Sequence, residues 1–314
     1  MSPEQILPID GILELLCCPN TGASLTRRGS TLLGSEGTSY RISDSGIPLF
    51  AEKFCSADGR QQREHYERIA AAYVENLGYP HTEEYTTYLD NALLAAVDRP
   101  LGTTAELCCG RGEAFSLLGS RVARGIGVDV SPSMLEQALL FSHNSGLVFL
   151  QADATMLPLR NASFDSVFML GGIHHVRDRN QLFSEIARIL KPGGRFYFRE
   201  PVSDFWLWRS LRWAIYRISP TLDHETERPL LWSESVPVLE ANRLRLTEWK
   251  TYGFVGFCLF MNSDVLVFNR LFRFLPGIRG LTRAATKLDS AILSLPGLGR
   301  CGLQVVGVAE KGLK

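Results

Sequence analysis

From residue 103 onward the chain repeats one rhythm: a short apolar run, a glycine-containing turn, then a stretch with helical periodicity. Apolar runs fall at 105–109, 125–129, 147–151, 165–170 and 195–200, and the helical stretch Arg179–Leu190 leads into the last of them. Strands joined through helices make right-handed β-α-β crossovers, so this segment predicts a parallel, doubly wound α/β sheet with helices on both faces. Two further strands, 243–252 and 303–310, come only after long insertions.

The flanks have a different texture. Residues 1–55 are short apolar pieces broken by turn chemistry at Pro19-Asn20, Arg28-Gly29, Ser35 to Gly37 and Asp44 to Gly46. This predicts a small β-rich module of hairpins. Residues 56–102 read as a helical lead-in and substrate cap and 103–200 as the ligand-binding core. Residues 201–242 read as a helical insertion forming a substrate lid, and 243–314 as C-terminal strands carrying an amphipathic helical insertion at 264–296.

Charge and cysteine usage narrow the class. Lys+Arg and Asp+Glu are both 33, which argues against coating nucleic acid by bulk electrostatics. The zero is segregated: residues 1–200 hold 18 basic and 23 acidic groups, 201–264 hold 7 and 8, and 265–314 hold 8 and 2. Seven cysteines, including the adjacent pairs 17/18 and 108/109, with no signal-peptide pattern, predict reduced thiols and a cytoplasmic protein. The longest charge-free apolar stretch, Tyr252–Ser263, is shorter than the roughly 18 residues a spanning helix requires.

The run Glu106-Leu-Cys-Cys-Gly110-Arg-Gly112 ends a strand and opens a helix, where glycines let the backbone approach a ligand closely. The next strand ends in Asp129, placed to accept the two hydroxyls of a ribose, and the third ends at Asp153-Ala154. Position 115 is Phe where a dinucleotide loop has its third glycine, and Glu106 would repel a pyrophosphate while suiting a cationic ligand.

Five blocks in order, "ELCCGRGE", "GVDVSPSMLEQA", "QADATMLPLRNASFDSV", "GGIHHV" and "LKPGGRFYFRE", resemble the class I S-adenosylmethionine-dependent methyltransferases over roughly residues 100–200. The resemblance implies a Rossmann-like seven-stranded methyltransferase sheet with S-adenosyl-L-methionine as cofactor. It implies that Glu106, Gly110 and Gly112 line the methionine portion, Asp129 holds the ribose, Met134 packs near the adenine, and Asp153 with Ala154 meets the adenine edge. Methyl transfer to oxygen or carbon usually also needs a base, and His174 and His175 follow the fourth strand at the same sheet edge. Tyr66, Tyr73, His81, Tyr85, His224 and Glu225 are further candidates, the last two in a loop able to cover the site.

The N-terminal run "LLCCPNTGASL", followed by "YRISDSGIPLF", resembles the zinc-ribbon-type activator subunit of tRNA and protein methyltransferases. Thr21 stands where a second cysteine is expected, and Ser35-Glu36-Gly37 where the other pair would lie. Only Cys17, Cys18 and Cys55 remain against the four ligands of a closed site, so no metal is expected.

The insertions should set substrate choice. Residues 205–218 combine three of the five tryptophans with Arg209, Arg212 and Arg217, a composition suited to a membrane interface. In the second insertion Asp264 is a candidate N-cap, and Asn269, Arg270 and Arg273 form a narrow polar stripe. Further along, Leu281, Ala285, Leu288, Ile292 and Leu295 form an apolar face opposite Arg283, Lys287, Ser290 and Ser294. Core or lid packing, contact of 205–218 and 264–296 with an anionic membrane, and a dimer surface are the three readings. The expected acceptor is small, hydrophobic or lipid-like, with no nucleic acid partner. An RNA-base methyltransferase is the rival, weakened because "GGIHHV" stands where an Asn/Asp-Pro-Pro-Tyr/Phe motif would. A non-catalytic cofactor-binding partner of another methyltransferase is the second rival.

Overall fold

The computed structural model describes residues 9–142, 146–218, 228–261 and 267–313. Its main sheet contains β4 (Thr103–Leu107), β5 (Arg124–Asp129), β6 (Leu147–Gln151), β7 (Phe164–Leu170), β8 (Leu190–Pro201), β9 (Leu244–Tyr252) and β10 (Gln304–Lys311), in the order β6-β5-β4-β7-β8-β10-β9. Each apolar run of the sequence thus becomes a strand, and the order reverses beside β4, the usual binding crevice of an open α/β sheet. The sheet is flanked by α2 (Pro80–Ala96), α3 (Glu113–Leu118), α4 (Pro132–Phe141), α5 (Arg179–Ile189) and α7 (Trp232–Ala241), with α1 (Ala57–Leu77) over the end of the sheet nearest α4. Helix starts follow local chemistry: Ser131 caps α4 through Met134 N with Pro132 in its first turn, and Asp178 caps α5 through Gln181 N.

The sheet is not wholly parallel. β10 runs antiparallel to both β8 and β9, so Gln304 lies opposite Pro201 and Tyr252. The chain leaving β9 therefore returns to the sheet from the same edge without a crossover. Everything between them, α8 (Val255–Phe260), the 3-10 helix Val267–Phe274 and α9 (Ile278–Leu293), projects at the carboxyl-end edge. The segment after β8, including α6 (Trp206–Ile218), starts from that edge too.

The N-terminal module contains the antiparallel hairpins β1 (Leu25–Arg28), β2 (Thr31–Gly34) and β3 (Ser39–Arg41). It has no core of its own. Ile12, Leu16, Leu32, Tyr40 and Phe50 form one continuous cluster with Val148, Leu150 and Leu159 of the main domain. Leu49 pairs with Gln151 in parallel and Gln151 N donates to Pro48 O at 2.9 Å, so the module covers the edge strand β6. At the positions read as substituted ligand sites, Thr21 Oγ1 donates to Glu36 Oε1 at 3.1 Å, and Cys18 Sγ lies 3.0 Å from Tyr40 Oη.

The helix α9 turns the apolar face read from the sequence outward. The apolar face carrying Leu281 and Leu288, open in the sequence to core or lid packing, membrane contact or a dimer surface, is exposed at both leucines, while Thr282, Thr286 and Asp289 are buried. The cause is Asp289, which accepts the Tyr85 hydroxyl at 2.6 Å together with the backbone N–H groups of Gly256 at 2.9 Å, Phe254 at 2.9 Å and Phe257 at 3.1 Å. A buried carboxylate with four donors is compensated, and those donors include the otherwise unsatisfied start of α8. This anchor outweighs the burial of two leucines and sets which face turns inward. The contact with α8 leaves little room, since a Cβ on Gly256 would come within 2.8 Å of Asp289 Oδ2. Replacing Asp289 by Ala strands these donors, and we expect a loss of about 3 kcal/mol or more. Hydrogen exchange should show the loss as deprotection of α8 and α9 while β4, β5 and β7 stay protected.

Candidate active site

The carboxyl ends of β4 to β7 open into one cavity, closed from outside by the first turns of α1. Its floor is the glycine loop. Cys108, Gly110 and Gly112 all have positive φ, at 49°, 52° and 79°, a conformation that costs an ordinary side chain more than glycine. A Cβ on Gly110 would come within 3.3 Å of Met134 Cε, so the loop and Met134 pack closely at the cavity wall. Gly112 does not line the cavity. It opens α3 in the left-handed region, with its N–H on Cys109 O at 2.7 Å.

Buried carboxylates hold this floor in shape. Glu106 accepts Ala114 N at 2.7 Å and Phe115 N at 3.0 Å, joining the end of β4 to the start of α3. Burial pushes its carboxyl up to about 8 against the pull of those two N–H groups. Asp129 accepts Gly110 N at 2.8 Å on one oxygen and Ser131 N at 2.9 Å on the other, and the residue lines the cavity. Asp153 accepts Thr155 N at 2.8 Å, Thr155 Oγ1 at 2.7 Å and Ser56 N at 2.8 Å. Burial also raises the Cys108 and Cys109 thiols well above their ordinary range, so both stay neutral.

The outer wall comes from α1, where Gly59, Gln62 and Tyr66 share one face. Gly59 allows the approach, because a Cβ there would meet Asp153 Oδ2 at 2.5 Å. Gln62 is nearly buried, and its Oε1 has no hydrogen-bond partner among the described residues. Glu67 ties the helix down by accepting Ser131 Oγ at 2.7 Å and Ser133 N at 3.2 Å. Of this wall the sequence reading had singled out only Tyr66. The remaining signal was the polar stripe at 59, 62 and 66 in an otherwise charged helix.

The two histidines separate. His175 lines the cavity, with Nε2 3.2 Å from Tyr66 Oη. His174 is turned away from the lining and holds Nδ1 2.8 Å from Glu200 Oε2. Glu200 is fully buried and also accepts Gly172 N at 2.7 Å and Ile173 N at 2.8 Å. The imidazole rings are 3.9 Å apart, so Glu200 fixes His174 and His174 supports His175. Among the sequence-predicted site residues, Glu106, Gly110, Asp129, Met134, Asp153, Ala154 and His175 meet at the cavity. His81 packs between Tyr79 and Phe272, and Tyr85 is spent on Asp289, both away from it. The side chain of Tyr73, together with His224, Glu225 and Asp264, lies outside the described residues.

The lining has a definite electrostatic character. Six carboxyl groups (Asp58, Glu106, Glu113, Asp129, Asp153 and Asp178) border the cavity, and no Lys or Arg does so among the described residues. Glu106 is held largely protonated by burial, and the remaining carboxylates repel a phosphate and favour a cationic ligand, while Val128, Ala152, Ala154 and Leu170 supply an apolar slot. S-adenosylmethionine, with its sulfonium, ammonium, ribose and adenine, fits this donor set. A doubly wound sheet with an acidic, glycine-floored cavity at its carboxyl edge is the ligand-binding arrangement of an open α/β fold, here suited to a nucleoside with a cationic group.

The methyltransferase domain family matches residues 105–198. An uncharacterized methyltransferase of Mycobacterium bovis is 30% identical over 155 residues, covering 47% of this chain and 74% of that protein. The 27-O-demethylrifamycin SV methyltransferase of Amycolatopsis mediterranei is 31% identical over 134 residues, 38% of this chain and 49% of the relative. The 2-phytyl-1,4-naphtoquinone methyltransferase of Thermosynechococcus vestitus is 32% identical over 151 residues, 43% and 65% respectively. The chain thus spans about half to two-thirds of the length of these last two relatives. In fold, a chain of the Haloferax volcanii complex between the Trm112 methyltransferase activator and a methyltransferase superposes with a TM-score of 0.54 at 21% identity, covering 80% of this chain and 97% of that one. The chain belongs to the S-adenosylmethionine-dependent methyltransferase family.

Two predictions test this site. Asp129→Ala should weaken S-adenosylmethionine binding by about tenfold to a hundredfold, the value of a charged hydrogen bond at roughly 1.5–3 kcal/mol, and unchanged affinity by calorimetry would remove Asp129 from the ribose site. The raised carboxyl of Glu106 stabilises the fold fully below its unfolded pKa, an effect lost as pH rises through the folded value of about 8. Relative to Glu106→Gln, the native chain should lose up to about 1.4 kcal/mol per pH unit between pH ~4.5 and pH ~8 and then level off. Parallel urea-stability profiles across that window mean that Glu106 ionises at its ordinary pH.

Proposed function

We propose that this chain methylates an oxygen or carbon atom of a small, hydrophobic or lipid-like acceptor. The observation that carries the reading is the pairing of His175 and Tyr66 in the cavity lining, at a sheet edge whose insertions are rich in aromatic side chains. Bound S-adenosylmethionine supplies a methyl group on positively charged sulfur. Asp129 would accept the ribose hydroxyls, and the acidic wall would hold the cationic end. α1 excludes water, tied across the cavity by Asp153 and Glu67. His175, oriented by Tyr66 and by His174 with Glu200 behind it, takes the proton from an acceptor hydroxyl or activated carbon. The names of two relatives, a rifamycin and a naphthoquinone methyltransferase, support an apolar acceptor.

The N-terminal module enters this reading as a built-in counterpart of an activator subunit. It covers β6 and, through Leu49 and Gln151, steadies the strand preceding Asp153. Its catalytic contribution is therefore positional.

We expect His175→Ala to lower kcat by about 10²-fold or more with cofactor affinity little changed, the usual yield of a positioned base. Near-normal turnover by that variant at saturating cofactor would falsify the base assignment. The acceptor class is tested by incubating the protein with labelled methyl donor and fractionated cell extract. Label should enter the organic-soluble fraction, and label confined to RNA refutes the proposal.

A further inference from the structure

Among the described residues, the exposed apolar surface is concentrated in one place. Of the 15 large hydrophobic side chains exposed among the described residues, 12 belong to α6, α8, the 3-10 helix Val267–Phe274 with the Leu275 that follows it, and α9 with its exit at Leu295. These 12 are between 41% and 68% exposed. The same elements form one layer, because Trp208, Phe257, Phe260 and Ile278 share a buried cluster to which Phe272 also packs. Trp208 fastens α6 to the layer through Nε1 to Cys301 O at 2.9 Å. Each element therefore turns one apolar face inward and presents a second outward, which packing in this fold alone does not require.

On α9 the outward face is a seam. Leu281, Ala284, Leu288, Ala291 and Leu295 are all exposed and recur at alternating steps of three and four. This spacing keeps a stripe of a helix against a continuous partner. On α6, Trp206 and Trp213 are exposed one heptad apart. Tryptophans at the margin of an apolar helix face are characteristic of a water–lipid boundary.

Charge selects the partner. Residues 205–218 contain three basic and no acidic residues, and 267–295 contain five basic residues and one acid, Asp289, which is buried and fully engaged. The acidic groups facing this layer from the helix packed against it are Glu83 and Glu84 of α2, which pair with Arg279 and Arg283. Lys287 is exposed beside Leu288 in the seam. With Arg279 and Arg283 neutralised by Glu83 and Glu84, Lys287 is the exposed cation in the seam; a two-fold partner would set it among the apolar side chains of the other copy, whereas an anionic lipid surface receives both the leucines and this cation.

We propose that α6, the 3-10 helix and α9 form an interfacial surface that docks the protein on anionic lipid bilayers, with its carboxyl-end edge turned toward the membrane. This goes beyond the acceptor reading, since it depends on the surface and not on the chemistry of the cavity. It turns the sheet edge that carries both the cavity and the insertions toward the phase in which a lipid-like acceptor dissolves.

Co-sedimentation of the full chain with phosphatidylcholine vesicles, with and without phosphatidylglycerol, tests the proposal at low and high salt. Binding should be at least about tenfold tighter with phosphatidylglycerol and should weaken at high salt. Leu281→Ser combined with Leu288→Ser should abolish binding, and Lys287→Glu should reduce it several-fold, while S-adenosylmethionine affinity by calorimetry stays at the native value. Absence of native binding to anionic vesicles at either salt overturns the proposal, as does native-like binding by the double variant. A stable dimer by sedimentation equilibrium that the double variant dissociates also overturns it, in favour of a second copy. Because vesicle binding is read without an acceptor, its failure leaves the methyltransferase reading standing.

Discussion

Buried carboxylates that accept backbone N–H groups hold the functional edge of this protein together. Glu106 ties β4 to α3, Asp129 ties β5 to the glycine loop, Asp153 ties the turn after β6 to the start of α1, and Glu200 ties β8 to the histidine turn. Asp289 does the same for the insertion. Each replaces water at donors that a loop or helix start would otherwise leave unsatisfied, and each is compensated only when those donors converge. Of these groups Asp129 and Asp153 also line the cavity, and with them its wall favours a cation.

The second constraint is directional. Because β10 enters the sheet antiparallel between β8 and β9, the insertion before it must begin and end at the edge that carries the cavity. The acidic cavity and the basic apolar layer are thus built at the same edge. The fold alone hosts many reactions, and what sets this chain apart is the placing of a cation-suited pocket and an apolar layer at one edge of the sheet.

Much of this was legible in the chain. The strands matched their apolar runs closely, and Gly110, Asp129 and Asp153 sit at strand ends as their spacing required. Two things were not legible. Helical periodicity places Leu281 and Leu288 on one apolar face without saying whether that face turns inward, because the orientation of α9 is set by one carboxylate meeting donors some thirty residues away in α8. The roles of His174 and His175 could not be divided either, since adjacent residues in a turn diverge according to what each meets, here Glu200 and Tyr66.

What the sequence determined by itself was local: strand and helix positions, the glycine loop, the acidic strand tips and the segregation of charge toward the C-terminal insertion. These follow from periodicity, turn chemistry and composition, which act over a few residues. Tertiary structure alone decided the direction of β10, the closure of the cavity by α1, the merging of the N-terminal module with the main core and the outward turn of the α9 leucines. Each depends on polar groups far apart in the chain finding one another, and burial makes such a pairing decisive because a donor or carboxylate left alone there costs several kcal/mol.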